Sequence, residues 1–185
     1  MLSNSLWDRI GGMGSFGVAG IIIKRKNFSE SDRILTVMTR NLGKIKVIAK
    51  GVRKITSRRA PTIDLLCLSQ LQIYEGKTFY TLSESVLIND FCLLKGSLKK
   101  IRLAFHVCEL TDALLPEEQA HKEVYELLLK FMQGLCEKDI SISDFEIKLL
   151  KLLGYWSKEL EGKVNNRYYI EEIIGRKLRS LDSYR

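Results

Sequence analysis

The sequence predicts an α+β protein in which a five-stranded OB-like barrel comes first and an all-helical domain follows. Short apolar segments, one of them rich in β-branched residues, are separated by turn-forming residues over roughly the first ninety residues, and after Asp90 apolar residues recur every three and four positions. A strongly basic loop, residues 51–61, separates the third and fourth strand candidates, as suits a small OB-type barrel. We therefore expect the barrel over residues 13–88 and the helical domain over 89–185. Residues 1–12 lack the pattern of a signal peptide and are expected to be a disordered or non-native extension.

Five short segments have the composition of β-strands. They are residues 18–23, 34–39, 44–50, 65–74 and 78–85. In the third segment, residues 44–50, apolar side chains and lysines alternate. We therefore expect the apolar side chains to lie on the inner face of the barrel and the lysines to lie on its outer face. The inner residues are Ile45, Val47 and Ala49, and the outer lysines are Lys44, Lys46 and Lys50. A turn at Gly76 joins the last two segments into a hairpin.

Beyond the last strand candidate, the apolar period is that of amphipathic helices. Helices are expected over residues 101–115, 124–135, 143–153 and 168–181, of which the last has the weakest pattern. The third is expected to open with a capping box formed by Ser143 and Glu146. Its predicted buried residues are Phe145, Leu149, Leu152 and Leu153.

The basic side chains are concentrated in the first third of a chain with net charge +8. Residues 24–59 contain twelve Lys and Arg and only two acidic residues, Glu30 and Asp32, whereas residues 60–161 contain eleven basic and sixteen acidic residues. Such clustering indicates a polyanion-binding surface, on which each cation neutralises one phosphate without reading sequence. We expect Asp32 to pair with Arg33 or a nearby lysine and fix a loop. The candidate nucleic-acid-binding residues are Lys24, Arg25, Arg33, Lys44, Lys46, Lys50, Arg53, Lys54, Arg58 and Arg59.

The chain also carries a long series of ordered motifs. They are FSESDRILT at 28–36, TRNLGK at 39–44, IAKGVRK at 48–54, the Ser57-Arg58 pair, Gly76 with Tyr80-Thr81-Leu82, FEIKLLKLLGY at 145–155 and GRKLRSL at 175–181. In this order, and over residues 16–155, they resemble the RecO family of recombination mediators. The last motif is similar to the final helix of that family.

The resemblance implies a mediator of recombinational repair in the bacterial cytoplasm, associated with the nucleoid. Such proteins bind single- and double-stranded DNA, anneal complementary strands and help to load RecA onto DNA coated by single-strand-binding protein (SSB). The implied partners are DNA, the C-terminal tail of SSB and RecR, with RecF as a further candidate. The tail would occupy an apolar cleft edged by lysines. The candidates for these lysines are Lys122, Lys130, Lys148 and Lys151.

The sequence departs from the family pattern in its cysteines. Most members carry a four-cysteine zinc module after the residues that match Gly154 and Tyr155, but residues 156–168 contain no cysteine and are too few for it. The role of that module cannot be carried over. The four cysteines are widely separated, and we expect reduced core thiols in a cytoplasmic protein, with no bound metal or cofactor. They are Cys67, Cys92, Cys108 and Cys136.

The sequence offers little support for an enzyme. His106, Glu109 and Asp112 are spaced by three along one helix candidate, which suggests either a metal site or the polar side of an amphipathic helix. We favour the polar side, because the chain has only two histidines. The sequence contains no GxSxG, P-loop or HExxH motif. We therefore predict a binding protein without catalytic residues.

Aromatic residues that stack on bases are common in OB-type sites. Phe28, Tyr74, Phe79 and Tyr80 are available, although core packing is the favoured role for most of them. Two other functions are compatible with a basic barrel. One is an RNA-binding OB-fold protein linked to ribosomes or RNA processing, and the other is a protein–protein adaptor with a degenerate barrel.

Overall fold

The computed structural model describes residues 14–138, 140–160 and 162–182. The chain divides into two compact units. Of the described residues, the first unit contains those up to Asp90 together with Pro116–Ala120, and the second contains Phe91–Leu115 and those from His121 onward. The expected extension at residues 1–12 lies outside the described residues.

The first unit is a five-stranded sheet that closes on itself. Its strands are β1 (Ser15–Asn27), β2 (Arg33–Thr39), β3 (Gly43–Ala49), β4 (Leu68–Tyr74) and β5 (Tyr80–Asn89). They lie in the order β1-β2-β3-β5-β4, and β1 also pairs with β4. The pairings are antiparallel except between β3 and β5, which are parallel through Val47–Tyr80 and Ile48–Thr81. Strands followed by helices confirm the predicted α+β class with an OB-like first domain.

The apolar core of this unit lies inside the closed sheet. Alternate residues of β2 and β3 point inward, so Leu35, Ile45 and Val47 are fully buried, and the predicted inner face of β3 is confirmed. Each such side chain contributes about 1.5–3 kcal/mol through burial. The strand β1 extends beyond the predicted residue 23, because an irregularity between Ile22 and Lys24 lets its charged end continue pairing with β2.

The hairpin of β4 and β5 is confirmed, although its ends differ from the prediction. Strand β4 begins three residues later, since Leu66 adopts a positive φ of 67° and the backbone of Cys67 bonds to Ile22. Strand β5 runs on to Asn89 and remains paired with β4.

The second unit is helical. Its helices are α1 (Cys92–Lys95), α2 (Leu98–Leu114), α3 (Lys122–Glu137), α4 (Ile142–Leu152), α5 (Asn166–Ile174) and α6 (Arg179–Asp182). The predicted helices over 101–115 and 124–135 correspond to α2 and α3. Ser97 is the N-cap of α2, and its side chain accepts a hydrogen bond from the Lys100 N–H at 3.4 Å. Of the described helices, none is long and apolar enough to span a bilayer.

Three details of the later helices were wrongly predicted. Helix α4 is capped at Ser141, so Ser143 lies inside it, and Glu146 is buried against His106 instead of closing a capping box. The third predicted pattern also placed Leu152 in the core, but Leu150 is buried and Leu152 is 46% exposed. The last predicted helix is two helices, because the chain leaves α5 at Gly175 in a left-handed conformation.

The polar residues of α2 are more deeply buried than expected. His106 is fully buried, with Nε2 2.9 Å from Glu146 Oε1 and Nδ1 2.9 Å from Ser180 Oγ. Placing His106 on an exposed polar side was therefore wrong. Cys92 is exposed, which corrects its assignment to the core, whereas Cys67 and Cys108 are buried and Cys136 is partly buried. Across the described residues, no group of three or more His, Cys, Asp or Glu is arranged to hold a metal.

Candidate nucleic-acid interface

Apart from Lys44 and Lys46 on β3, the predicted basic residues of the first unit come from three neighbouring parts of the fold. Lys24 and Arg25 lie on the second half of β1, and Arg33 begins β2 beside them, because Asn27 pairs with Arg33. The third part is Lys50 with the basic loop that follows it. This loop has turn structure and leads into a short 3-10 helix at Pro61–Ile63.

Hydrogen bonds join the basic loop to the connection between β1 and β2. The Asp32 carboxylate accepts the Gly51 N–H at 2.8 Å, and the Arg53 N–H donates to the Ser31 carbonyl at 3.0 Å. Arg53 Nη1 donates to the Ser29 carbonyl at 2.5 Å. The bond from Gly51 holds the pKa of Asp32 below its usual value, and Ser31, Ser29 and the Lys50 charge act in the same direction. Asp32 thus fixes a loop as expected, but through Gly51 instead of an ion pair with Arg33.

Arg59 holds the other side of the basic loop. One of its guanidinium nitrogens donates to the Lys50 carbonyl at 2.8 Å. The other donates to the carbonyls of Leu82 and Ser83 in β5, at 3.2 and 3.1 Å. Arg59 was predicted as a phosphate ligand, but its donors are directed at the protein backbone. Its role in this arrangement is to position Lys50 and the loop.

Three arginines lie close together where β1, β2 and the basic loop meet. Burial lowers the pKa of Arg33, and the positive charges of Arg25 and Arg53 lower it further, while Asp64 opposes them. Asp64 forms an ion pair with Arg25. The three guanidinium groups repel one another, Asp64 offsets part of this repulsion, and a bound anion would reduce it further.

The lysines of β3 do not form the predicted outward row. Lys44 is 6% exposed, because the segment Pro116–Ala120, which we call the acidic segment, runs alongside it. The Glu118 N–H donates to the Lys44 carbonyl at 2.8 Å. Lys46 is partly exposed, and its Nζ lies 2.6 Å from Glu117 Oε1. The prediction of Lys44 as a surface ligand was wrong, since the sequence of β3 gives no sign of the segment that covers it.

The exposed cations are therefore concentrated on β1 and the basic loop. They are Lys24, Arg25, Lys50, Arg53, Lys54 and Arg58 from the predicted set, together with Lys26. Two apolar side chains accompany them. Phe28 is 58% exposed next to the end of β1, and Ile55 is fully exposed within the basic loop. The sequence signal for Ile55 was an apolar residue in a charged stretch without periodicity.

The other aromatic candidates differ from Phe28. Tyr80 packs against the core of the sheet and meets Phe16 edge to face, with ring centroids 6.0 Å apart. Burial raises the pKa of Tyr80, and Glu118 and Glu75 add to the effect. Tyr74 is 39% exposed, but it pairs with Ser15 at the opposite end of β1. Phe79, just before β5, is partly buried. Phe28 adjoins the basic loop, because its neighbour Ser29 accepts a hydrogen bond from Arg53.

The candidate lysines for partner binding lie on two packed helices of the second unit. Lys122 and Lys130 are exposed on α3, and Lys148 and Lys151 are exposed on α4. Most apolar residues of these helices form the core of the unit, including Leu128, Phe131 and Leu149. Leu152, which is 46% exposed, follows Lys148 by four residues on α4 and therefore lies on the same face of the helix. Tyr155, which is 43% exposed, follows the end of this helix. Apolar surface beside positive charge is therefore found at the end of α4.

Comparison with known proteins yields two family matches. Residues 13–91 match the model described as "Recombination protein O N terminal", and residues 96–156 match "Recombination protein O C terminal". A protein of Symbiobacterium thermophilum named DNA repair protein RecO is 35% identical over 147 residues, which cover 77% of this chain and 58% of that protein. The protein of the same name from Dehalococcoides mccartyi is 36% identical over 172 residues, covering 86% and 67%. The chain thus spans roughly three fifths to two thirds of these relatives' length.

Proposed function

Because this chain belongs to the RecO family, we propose that it is a recombination mediator of DNA repair. In this proposal it binds single- and double-stranded DNA through the basic surface of its first unit, anneals complementary strands and helps to load a recombinase onto SSB-coated DNA. These contacts would associate it with the bacterial nucleoid in the cytoplasm. Such a protein acts by binding and requires no catalytic residue.

The observation that carries this proposal is the exposed positive charge of Lys50 and the basic loop. Lys50, Lys54 and Arg58 are exposed, and Asp32 and Arg59 hold the backbone between them through hydrogen bonds. A loop fixed in this way loses little conformational entropy when phosphates bind. Each phosphate contact releases condensed counterions, which favours binding at low salt.

The same surface suits strand annealing. Two complementary strands repel each other through their phosphates, and cations that neutralise both strands lower this repulsion. Annealing needs contacts that do not depend on sequence. Flexible lysines on a loop provide such contacts, because they bind phosphate and do not reach base edges in a groove.

For the second unit, we propose that the end of α4 binds the C-terminal tail of SSB. Lys148 and Lys151 would pair with acidic groups, and Leu152 with Tyr155 would contact an apolar side chain of the tail. Lys122 and Lys130 on α3 are further candidates for the same peptide. We propose RecR, with RecF as a further candidate, as the partners through which RecA is loaded.

The DNA-binding proposal is tested by the variant Lys50→Ala/Lys54→Ala/Arg58→Ala, which removes exposed cations and leaves the Asp32 and Arg59 contacts in place. Single-strand affinity should fall, and the slope of log Kobs against log salt should become less negative by about 2, since each lost contact contributes about 0.7. Fluorescence anisotropy with a labelled oligonucleotide measures both.

The matched control is Lys77→Ala/Lys138→Ala/Lys163→Ala, which removes three exposed lysines outside both candidate sites. It changes the net charge by the same amount and should change the slope much less. Equal slopes for the two triple variants would refute the assignment to Lys50 and the basic loop. Tighter binding of structured RNA than of DNA by the unaltered protein would favour the RNA-binding alternative.

A further inference from the structure

Phe28 is a large apolar side chain held at the surface. It follows Asn27, the last residue of β1, and the residue is 58% exposed. Its N–H donates to the Asp32 carbonyl at 3.1 Å, and the Asp32 carboxylate accepts the Gly51 N–H. The backbone that carries the ring is therefore fixed by hydrogen bonds, and more than half of the residue is exposed to solvent.

The surroundings of Phe28 are basic. Ser29, the next residue, accepts a hydrogen bond from Arg53 at 2.5 Å, so Phe28 adjoins the basic loop. Lys26 is exposed two residues earlier on β1, and Ile55 is fully exposed beyond Lys54. Two exposed apolar side chains thus accompany the cations proposed to bind phosphate, Phe28 next to the basic loop and Ile55 within it.

An unpaired nucleotide has the chemistry that fits this combination. It carries a flat aromatic base next to an anionic phosphate. One nucleotide can therefore stack its base on an aromatic ring while its phosphate binds a nearby cation. In a duplex the faces of the bases are occupied by neighbouring bases, and only the phosphates remain available. A surface with cations alone would bind both forms of DNA through charge, whereas an added ring favours the single strand.

Resting on the proposed DNA binding, we infer that Phe28, with Ile55 beside the loop cations, is a contact site for unpaired bases that makes the basic surface prefer single strands over duplex. Phe28 stacks on one base, while Arg53 and Lys50 hold the adjacent phosphates. Ile55 contacts a further base along the strand.

The test measures the affinity of Phe28→Ala for a labelled oligothymidine and for a duplex of equal length at the same salt concentration. Loss of stacking should weaken single-strand binding by about 5- to 150-fold, the usual range for one base on an aromatic side chain. Duplex affinity should change by less than about twofold. The salt slope should be unaltered, because no cation is removed. Phe28→Tyr, which keeps the ring, should restore single-strand affinity.

Tyr74→Ala provides the matched control, because it removes an exposed aromatic ring at the opposite end of β1. It should leave both affinities unchanged. Thermal unfolding of all variants checks that the sheet remains intact, which is expected because the Phe28 ring is largely outside the core.

Three outcomes would overturn the inference. Unchanged single-strand binding by Phe28→Ala, with the unaltered protein binding both forms, would reject the base contact and leave the DNA-binding proposal standing. Equal weakening for single strand and duplex would show that Phe28 acts on the loop and not on bases. Failure of the unaltered protein to bind either form would reject both the inference and the proposed function.

Discussion

Arg58 and Arg59 are neighbours in the chain, yet the structure gives their guanidinium groups different surroundings. Arg58 is exposed, whereas Arg59 donates hydrogen bonds to the carbonyls of Lys50, Leu82 and Ser83. The sequence assigned both to nucleic-acid binding, because residue type and clustering are identical for the two. What separates them is the position of β5, which brings two carbonyls within reach of Arg59 alone.

This difference predicts that alanine substitutions at Arg58 and Arg59 affect different properties of the protein. Arg59→Ala should lower the free energy of unfolding by about 1–3 kcal/mol, since it removes charged donors from three backbone carbonyls, of which that of Leu82 is partly buried. Arg58→Ala should change stability by less than about 0.5 kcal/mol, as is usual for an exposed side chain, and should weaken DNA binding. Urea unfolding followed by circular dichroism measures the stabilities. Equal stability losses would refute the positioning role of Arg59.

At the scale of the elements, strand β3 and the acidic segment explain why the outer lysines behave differently. Gly43 begins β3 with a φ of 69°, and a Cβ at this position would collide with the Gln119 carbonyl. The close approach that glycine permits brings the acidic segment onto this end of the strand, where it covers Lys44 and pairs with Lys46. Because the acidic segment covers one lysine of β3 and pairs with the other, the exposed positive charge of the predicted set lies mainly on β1 and the basic loop.

Pairing between Lys46 and Glu117 predicts that Glu117 competes with DNA phosphate. Glu117→Gln should release Lys46 and raise single-strand affinity at low salt, by at most about fivefold, because an exposed pair is worth up to about 1 kcal/mol. The salt slope should steepen by up to about 0.7. Glu123→Gln, an equal charge change at an exposed position in the first turn of α3, is the control. If both variants bind DNA equally well, Glu117 has no specific effect.

Local sequence patterns predict some of the buried residues of this fold and not others. Alternation within β3 correctly predicted that Ile45 and Val47 are buried, because a strand's inner face depends on its own period. Burial of Lys44 and of His106 could not be predicted in this way. Each depends on residues distant in sequence, the acidic segment in one case and Glu146 with Ser180 in the other. The sequence therefore predicts the basic surface and the helices, but it does not predict which basic side chains are buried by distant segments.

For the molecule as a whole, we expect stability at low pH to depend on the contacts between Glu109 of α2 and residues 176–180, which pack against this helix. Glu109 of α2 accepts hydrogen bonds from Arg176 at 2.7 Å and from the N–H groups of Arg179 and Ser180 at 3.1 and 2.8 Å. Leu178 is fully buried between these contacts. Burial alone would raise the pKa of Glu109, but the hydrogen bonds outweigh it and lower the pKa to about 2.

This lowered pKa predicts a pH-dependent contribution to folding. A carboxyl whose pKa falls from 4.5 to about 2 on folding stabilises the native state above pH 4.5, and the contribution is lost as the pH falls towards 2. At about 1.4 kcal/mol for each pKa unit, the full contribution is about 3 kcal/mol. Glu109→Gln should therefore be less stable than the unaltered protein at pH 7, and the difference should shrink below pH 4.5. Asp144→Gln, an exposed acid in the first turn of α4, is the control in urea unfolding across this range. A stability difference for Glu109→Gln that is independent of pH would show that the charge of Glu109 does not hold the end of the chain.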